Sequence, residues 1–486
     1  MVGIVSYGGY IPRLRLNRMA VIKAMGWFAP SLYGSAKGER SMCNWDEDSL
    51  TMAVAASQDC IIGVDKSKID AIYMASTTMP FADRDNAGIL KAALNLKDNI
   101  TSADFATSMK AGTTALITAL ESVKGGEKHQ VLVAGSDNRR SKSASVQEMR
   151  FGDGAASLLV GGENVIAEFL GSYSMSYDFV DHFRGPNTKY DYNWEERWVR
   201  DEGYTKIYPE AIRGLLKKVD VNIRDIKKLI YPCLIGPAHA SIAKMVDANP
   251  EQVVGNMHEE TGECGTAHPF VMLARELEQA KPGDKLLVAG YGQGADVMLF
   301  QVTKKINAMQ SRPGISGYLS QKKAEETYTK WLQFNELIDT EMGARAEVDN
   351  RTALSTLWRN RKLILGFVGG RCKECGTPQI PSDRICVKPD CDAIDSQEEY
   401  EFANQPAKIL TFTGDNLAAS LDPPAIYGMI QFDNGGRMMM DFTDCTLNDV
   451  EVGVPMKPSF RKKYVDQKRG FTGYFWKAVP QVLPEK

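Results

Sequence analysis

Short apolar runs alternate with longer stretches of helically spaced apolar residues over the first three hundred positions. Short runs rich in β-branched residues predict buried strands, and the spaced stretches predict amphipathic helices. This alternation predicts an α/β fold with mainly buried sheets. The predicted strands are Val2–Ser6, Ile69–Ala75, Gln130–Ala134, Ala156–Val160, Lys228–Tyr231, Lys285–Ala289 and Val297–Val302.

A weak internal repeat links two parts of this region. HQVLVAGSD (129–137) is similar to DKLLVAGYG (284–292), and FGDGAASLLV (151–160) is similar to GQGADVMLFQV (292–302). In both places a strand ending in VAG is followed by a glycine-rich turn and a second apolar strand. The pattern predicts a duplicated unit, and chance similarity between apolar strands is the alternative.

The pattern changes after Val302. Residues 303–360 are rich in Lys, Glu, Gln and Arg with sparse apolar positions, which predicts solvent-facing helices linking two domains. From residue 361 the chain has short strands and turns, and FDNGG (432–436) between alternating runs predicts a hairpin. The sequence therefore predicts a small, separate β domain at this end.

Composition narrows the class of protein. A chain of 486 residues is too long for one ordinary core, so two to four folding units are expected. A net charge of −3 argues against nucleic acid or an acidic membrane as partner. No apolar run is long enough to span a bilayer, and the first residues show no leader pattern. Five of the nine cysteines are scattered singly, so a cytoplasmic protein without disulfides is expected.

The other four cysteines are clustered at Cys372, Cys375, Cys386 and Cys391. Two thiolate pairs separated by a short loop can close a tetrahedral S4 site, and a bound metal stabilises a segment with almost no core. The spacing predicts structural Zn²⁺, with iron in a rubredoxin-like site as the alternative. The second pair is spaced C-x4-C, so its inner loop should be irregular.

Two family resemblances rest on these and further motifs. Residues 310–480 resemble an acyl-CoA-associated OB-fold family with a rubredoxin-like zinc ribbon, through RCKECGTPQIP, PPAIYGMIQFDNGGRMMMDFTD and VGVPMKPSF. Residues 1–303 resemble 3-hydroxy-3-methylglutaryl-CoA synthase and, more distantly, the thiolase superfamily. The motifs that carry the second resemblance are SMKAGTTAL, FGDGAASLL, DFVDHFRGPNTKYDYNWEERWVRDEGY, VVGN and GYGQGAD.

The resemblance implies a duplicated thiolase-like α-β-α-β-α sandwich, usually dimeric, with coenzyme A between the halves. A helical linker, a zinc ribbon and a small OB-fold β-barrel follow. The predicted units are a thiolase-like N-terminal half (1–164), a thiolase-like C-terminal half (165–303), the linker (304–360), the ribbon (361–400) and the OB-fold domain (401–486).

Two catalytic groups of the family are missing from the matching positions. The family's nucleophilic cysteine aligns with Met109, and its general-base glutamate aligns with Thr77. A thioether cannot form a stable acyl-enzyme, so acyl transfer through Met109 is chemically excluded. Ser108 and Cys264 are the alternative nucleophiles that the sequence offers.

Other family positions are retained, and the resemblance gives them roles. His239 and Lys244 have the family's His-to-Lys spacing, Asn256 matches the oxyanion asparagine, and Tyr291 matches a tyrosine at the glycine-rich turn. The predicted catalytic residues are His239, Asn256, Tyr291 and His268, with Glu263 as a further candidate base. The predicted substrate-binding or coenzyme A-binding residues are Met109, Gly112, Lys244, Gly292 and Gly294.

A thioester enolate held by such groups can still react without an acyl-enzyme. The leading expectation is therefore aldol or retro-aldol chemistry on a β-hydroxyacyl-CoA, with an acyl-CoA thioester and a ketone or aldehyde as partners. The first alternative is a synthase-type acyltransferase with a relocated nucleophile. The second is a non-catalytic acyl-CoA-binding scaffold for a partner thiolase. A homodimer is expected for the leading hypothesis.

Overall fold

The computed structural model describes residues 1–348 and 353–481. The predicted linker and OB-fold ranges therefore include a few positions outside the described residues. The strands and α-helices of the first half of the sandwich are β1 Gly3–Tyr10, β2 Leu14–Asn17, α1 Arg18–Met25, β3 Glu39–Met42, α2 Ser49–Cys60, β4 Ile69–Ala75, α3 Asn86–Ala93, β5 Thr101–Phe105, α4 Ala111–Lys124, β6 Gln130–Asp137, α5 Val146–Arg150 and β7 Gly154–Gly161.

The second half repeats this design with insertions. A π-helical turn (Val199–Tyr204) and a short 3₁₀ turn (Gly265–Ala267) precede two of its main helices. Its elements are β8 Ala167–Ser176, β9 His182–Phe183, β10 Tyr192–Asn193, α6 Glu196–Trp198, α7 Thr205–Val219, β11 Lys228–Ile230, α8 Gly236–Met245, α9 His268–Leu277, β12 Lys285–Tyr291 and β13 Gly294–Val302.

The sheet order confirms the duplication. The first half has the order β5-β4-β6-β7-β1, and the second has β11-β12-β13-β8. In each half the first strand of the chain lies beside the last, which runs antiparallel to both of its neighbours. The counterpart of β5 in the second half is a single bridge between Leu229 and Val253. All seven predicted strands are therefore confirmed, and β1 and β8 join the two halves through two residue pairs.

Three apolar clusters stack these elements into five layers. The central cluster contains α4 and α9 together with one face of each half's sheet. A second cluster places α2 and α3 on the outer face of the first sheet, and a third places α7 and α8 on the outer face of the second. The α-β-α-β-α sandwich is confirmed. Its two inner helices begin near each other, which positions the site described below.

Part of the segment after Val302 packs against the sandwich, so the prediction that it faces solvent is wrong for residues 314–331, whereas most described residues from 336 to 360 are exposed as predicted. Ile315 and Trp331 are fully or almost fully buried, and Tyr328 is also in the core. A short strand in this segment pairs with β2. Its described elements are α10 Gly314–Ser320, β14 Lys323–Glu325, α11 Tyr328–Phe334, α12 Leu354–Arg359 and α13 Arg361–Ile364.

The remaining chain forms a three-stranded ribbon and a five-stranded antiparallel sheet, in agreement with the predicted zinc ribbon and OB-fold. The FDNGG hairpin is confirmed between two strands of the larger sheet. The strands are β15 Val368–Cys372, β16 Pro378–Gln379, β17 Gln397–Glu401, β18 Ala407–Asp415, β19 Ala425–Phe432, β20 Arg437–Asp441, β21 Pro455–Asp466 and β22 Phe471–Pro480.

A buried charged network joins the OB-fold to the first half. The Arg461 guanidinium lies 2.7 Å from the Glu47 carboxylate, and the Lys477 ammonium lies 2.8 Å from Asp46. All four side chains are at most 4% exposed. Removing one member of such a network leaves an unpaired charge, so these contacts fix the orientation of the OB-fold domain. None of the helices within the described part of the chain is long and apolar enough to cross a membrane.

Candidate active site

The turn between β5 and α4 forms the predicted elbow. β5 ends at Phe105 and α4 begins at Ala111. Thr107 has a φ angle of +70°, a left-handed conformation that is strained for a β-branched residue. Met109 follows and forms part of a cavity wall. The elbow therefore presents a thioether where the family resemblance places a thiol.

The glycine-rich turn between β12 and β13 packs directly on this elbow. Ser108 Oγ donates to the Gly292 carbonyl at 2.9 Å. A Cβ on Gly292 would lie 2.7 Å from the Lys110 backbone nitrogen, so this approach requires glycine. Gly294 has a φ angle of +117°, which also favours glycine. The Lys110 ammonium is held at 3.2 Å by the buried Asp296 carboxylate.

The start of α9 contributes a carboxylate to the same cavity. Glu263 and Gly265 both line the wall just before this helix, which is the second-half counterpart of α4. Glu263 Oε2 accepts a hydrogen bond from Arg139 Nη1 at 2.8 Å. The two halves of the duplication therefore bring Met109 and Glu263 to one cavity.

Thr77, at the position of the missing base, is bonded to a buried carboxylate. Asp137 Oδ1 accepts from the Thr77 backbone nitrogen at 2.8 Å and from hydroxyls of Ser76, Thr77 and Thr78. Asp137 Oδ2 accepts from Thr266. The Asp137 side chain is completely buried and surrounded by donors. It therefore ties two loops together rather than facing the cavity.

Tyr291 supplies an unpartnered hydroxyl. The residue is 7% exposed and lines the cavity, and its hydroxyl oxygen has no hydrogen-bond partner among the described residues. Its ring packs on Tyr204 and Tyr208, with centroid distances of 4.4 and 5.6 Å. Burial, followed by the charge of Asp181, raises the pKa of Tyr291 well above its usual range. The phenol therefore stays protonated and can donate a hydrogen bond to a ligand.

The cavity has a volume of about 480 Å³, within the range of small-molecule sites. Its wall combines aromatic and apolar residues with a few charged groups. The lining residues include Met109, Arg139, Arg140, Ser141, Lys142, Arg150, Asp181, His182, Tyr190, Asp191, Tyr192, Trp194, Tyr204, Tyr208, Cys233, Ile235, Glu263, Pro269 and Tyr291.

Part of this wall comes from a segment spanning residues 178–198, here named the flap. β9 and β10 form a short antiparallel pair within it. Trp194 and Tyr192 are about half exposed although they line the cavity. The flap is fixed by Asp191, which is 4% exposed at its side chain and accepts hydrogen bonds from Arg139 and Arg184.

Two of the predicted catalytic residues lie behind the cavity wall. His239, on α8, packs against Tyr231 with the ring centroids 4.5 Å apart, and burial lowers the pKa of His239. The Asn256 side chain donates to the Cys233 carbonyl at 3.1 Å and accepts from the Cys233 nitrogen at 3.2 Å. Neither His239 nor Asn256 is among the lining residues. Asn256 therefore fixes the turn that presents Cys233, and the oxyanion role of both residues stays a prediction.

The other predicted residues are placed as follows. His268 is fully buried, and its ring nitrogens contact the Cys264 backbone nitrogen at 3.0 Å and the Asn256 carbonyl at 2.7 Å. Cys264 is also fully buried, and burial raises the pKa of its thiol above the usual range. Lys244 is exposed on α8. Gly112, Lys244, Gly292 and Gly294 do not line the cavity, so their part in coenzyme A binding stays a prediction.

Sequence reasoning missed several lining residues. Cys233, Arg139 and Asp191 all face the cavity, and burial raises the pKa of the Cys233 thiol to about 12. Cys233 and Arg139 each follow a strand end, β11 and β6 respectively, where side chains converge on a site. Their position after a strand end is the feature of the sequence that could have identified Cys233 and Arg139 as candidates. Asp191 lies in the motif of 178–204, whose contact with the cavity depends on long-range folding.

The four clustered cysteines form a candidate metal centre in the ribbon. Their sulfur atoms all lie within 4.8 Å of one another. The Cys372–Cys391 and Cys375–Cys386 sulfur distances are 3.8 and 3.5 Å. Thiolates placed 2.3 Å from a tetrahedral zinc are separated by about 3.8 Å. This donor set therefore fits a four-thiolate metal ion.

Two family models match the chain. The model described as the C-terminal part of 3-oxoacyl-[acyl-carrier-protein] synthase III matches residues 216–300. The model described as the ChsH2 C-terminal OB-fold domain matches residues 400–461.

Curated relatives extend the match over the whole sandwich. Hydroxymethylglutaryl-CoA synthase from Methanopyrus kandleri is 30% identical over 325 residues, covering 65% of this chain and 93% of the relative. The protein of the same name from Methanosarcina mazei is 30% identical over 319 residues, covering 64% and 91%.

Solved structures share the fold at lower identity. An HMG-CoA synthase structure complexed with CoA has a TM-score of 0.63 at 17% identity, covering 72% of this chain and 94% of that one. The 3-oxoacyl-(acyl carrier protein) synthase III of Pseudomonas aeruginosa has a TM-score of 0.56 at 19% identity, covering 62% and 98%.

Proposed function

Because the chain belongs to the hydroxymethylglutaryl-CoA synthase family of the thiolase superfamily, we propose that it acts on acyl-CoA thioesters without forming an acyl-enzyme. The proposed reaction is aldol addition, or retro-aldol cleavage of a β-hydroxyacyl-CoA. The second product of cleavage is a ketone or aldehyde.

One observation carries this proposal. The residue at the elbow is Met109, and it lines the same cavity as Tyr291, whose buried hydroxyl has no hydrogen-bond partner among the described residues. A thioether gives no acyl-enzyme, whereas a protonated phenol stabilises negative charge on an oxygen. The site has therefore lost the group needed for acyl transfer and keeps a group suited to an enolate.

The proposed cleavage uses two residues. Glu263 accepts the proton of the β-hydroxyl, the bond between the α- and β-carbons breaks, and its electron pair passes to the thioester as an enolate. Tyr291 donates a hydrogen bond to the enolate oxygen. Glu263 then gives its proton to the α-carbon, which completes the acyl-CoA and regenerates the carboxylate. The aldol direction reverses these steps, so Glu263 also removes the α-proton.

The relocated-nucleophile alternative has less support. Cys264 has no exposed surface and does not line the cavity. Ser108 Oγ already donates to the Gly292 carbonyl. Neither residue has a base positioned to activate it among the described contacts, as nucleophilic catalysis needs.

The ribbon and OB-fold take a supporting role in this proposal. We propose that Zn²⁺ binds Cys372, Cys375, Cys386 and Cys391 and stabilises the ribbon, since the sulfur spacing fits a closed structural site. The homodimer, the partner thiolase and the cytoplasmic location stay predictions.

Proton–deuterium exchange at the α-carbon tests the function. Acetyl-CoA and propionyl-CoA are incubated with the protein in D₂O and followed by NMR. The wild-type protein should catalyse exchange, and Glu263→Gln should slow it by roughly 100-fold or more, the range for loss of a general base. Lys68→Gln, which removes an exposed ion pair with Glu163, is the matched control.

Two outcomes contradict the proposal. An α-proton exchange rate in Glu263→Gln equal to that of the wild-type protein would mean that another group removes the proton. Tight binding of both thioesters with no exchange would favour the non-catalytic scaffold.

A further inference from the structure

A chain of buried ion pairs connects the proposed base to the flap. Arg139 Nη1 lies 2.8 Å from Glu263 Oε2, and Arg139 Nη2 lies 2.7 Å from Asp191 Oδ2. Arg184 Nη1 lies 2.8 Å from Asp191 Oδ1, and its Nη2 donates to the Thr77 carbonyl. The network therefore runs from the start of α9, through the end of β6, to the flap and the end of β4.

The centre of this network is almost inaccessible to water. The side chains of Arg139, Asp191 and Glu263 are 3%, 4% and 6% exposed. The Arg139 guanidinium also stacks 3.8 Å above the centre of the Phe151 ring. With both edges and one face occupied, this guanidinium has a single orientation. A planar guanidinium with several N–H donors in fixed directions orients carboxylates more precisely than a lysine ammonium group does.

The bond pattern leaves part of Glu263 available for chemistry. Arg139 contacts only Oε2 of this carboxylate, so the other oxygen is not held by the guanidinium. Both oxygens of the Asp191 carboxylate, in contrast, accept hydrogen bonds: Oδ2 from Arg139 and Oδ1 from Arg184. The same guanidinium therefore orients one carboxylate that lines the cavity and anchors a second that belongs to the flap.

We infer that Arg139 is the positioning residue of the site, holding the Glu263 carboxylate toward the substrate and coupling its orientation to closure of the flap through Asp191. This inference rests on the proposed role of Glu263 as base. Arg139 itself touches no reacting atom in this account. Its effect on the reaction passes through Glu263, which makes the two residues energetically dependent on each other.

A double-mutant cycle on the α-proton exchange rate tests this dependence. Glu263→Gln and Arg139→Gln are each expected to slow exchange by roughly 100-fold. The double variant should be slowed by less than about threefold beyond Glu263→Gln alone, because residues that act as one unit are not additive. Arg224→Gln, at an exposed surface position, is the matched control.

The outcomes separate this inference from the proposed function. Full activity in Glu263→Gln contradicts the function and therefore the inference as well. A loss in Glu263→Gln, with a further loss of roughly 100-fold in the double variant, contradicts only the inference. That result would mean that Arg139 acts on stability or binding independently of Glu263.

Hydrogen exchange of the backbone tests the coupling to the flap without turnover. Asp191→Asn weakens the link to both arginines while leaving Arg139 paired with Glu263. Asp191→Asn and Arg139→Gln are both expected to speed amide exchange in β9 and β10 by roughly tenfold, because the flap opens more often. Unchanged exchange in both variants would contradict the coupling.

Discussion

At the residue scale, Met109 and Tyr291 come from the two halves of the sandwich and line one cavity. Met109 removes the option of an acyl-enzyme, and Tyr291 offers a hydroxyl that no protein group satisfies among the described residues. A buried donor without a partner is costly unless a ligand completes its hydrogen bond. This cost supports the proposal that a ligand forms a hydrogen bond with Tyr291.

Substitution of Tyr291 by phenylalanine should remove the stabilisation of the enolate. The expected result is a fall in kcat of roughly 100-fold with little change in KM, as for the loss of one oxyanion donor. Tyr177→Phe is the matched control, since this tyrosine is exposed and outside the cavity wall. Steady-state kinetics on an acyl-CoA that undergoes exchange measures both constants. An unchanged kcat would exclude the hydroxyl from the reaction.

Some residues of the candidate site can be identified from the sequence, and others cannot. Local sequence identifies the strand-to-helix elbow that contains Met109 and the glycine-rich turn that contains Tyr291. Asn256 and Glu263 both precede α9 and are seven positions apart, so spacing alone does not tell which one faces the cavity. The bond of Asn256 to the Cys233 backbone is a long-range contact, and it becomes visible only in the folded chain.

At the scale of elements, the π-helical turn before α7 shapes the wall around Tyr291. Gly203 lies in this turn, and a Cβ there would come within 2.3 Å of the Tyr291 hydroxyl and 2.9 Å of the Phe179 ring. Turns of this kind widen a helix locally and frequently occur at functional sites. The glycine therefore leaves the space in which the hydroxyl sits.

Gly203→Ala should push the Tyr291 hydroxyl out of its position. We expect a loss of activity of at least tenfold with the fold retained, because the backbone at Gly203 does not require a positive φ angle. Gly236→Ala, where no atom lies within 4 Å of the added Cβ, is the control. Kinetics together with circular dichroism checks the prediction. Equal activity of the two variants would show that the hydroxyl position is not critical.

The loop that leads into α5 is held by a buried carboxylate whose pKa is shifted. Glu148 accepts hydrogen bonds from the Tyr328 hydroxyl at 2.7 Å and from the Ala144 nitrogen at 2.6 Å. Burial raises the pKa of Glu148 from 4.5 to about 7. The folded state therefore binds a proton more tightly than the unfolded state between these two values, and stability from this group is lost as pH rises through the window.

The difference in Tm between the wild-type protein and Glu148→Gln should reveal this linkage. Between pH 5 and pH 8 the free energy of unfolding of the wild-type protein should fall by about 3 kcal/mol relative to that of Glu148→Gln, and its Tm should fall accordingly. One pKa unit is worth about 1.4 kcal/mol. Thermal unfolding at several pH values measures it. A difference that is constant, or that grows in favour of the wild-type protein with pH, would contradict the shift.

At the scale of the whole molecule, the duplicated sandwich was predictable from strand pattern and repeat, whereas the docking of the later segments was not. The apolar residues of 303–360 are too sparse to form a periodic face. Trp331 and Ile315 are nevertheless buried, because Ile315 joins the central apolar cluster and Trp331 packs in a separate cluster with residues of β2 and α1. The Arg461 network likewise joins residues more than four hundred positions apart.

The ribbon has few buried apolar residues, so a bound metal should be important for its stability. Purified protein is predicted to contain about one zinc per chain, and Cys375→Ser should lose the metal and lower Tm. Cys445→Ser changes a cysteine outside the cluster and should leave the zinc content unchanged. Elemental analysis and thermal unfolding measure both effects. Full zinc content in Cys375→Ser would contradict the four-thiolate site.

The central claim is that the chain acts on acyl-CoA without an acyl-enzyme. Intact-protein mass spectrometry after incubation with acetyl-CoA and acid quenching tests it most directly. Met109→Cys is the positive control, since a thiol at the start of α4 has the helix N-terminus to lower its pKa and should accept an acetyl group. The wild-type protein is predicted to stay unmodified while it catalyses α-proton exchange. An acetyl group on the wild-type protein, on any side chain, would contradict the account.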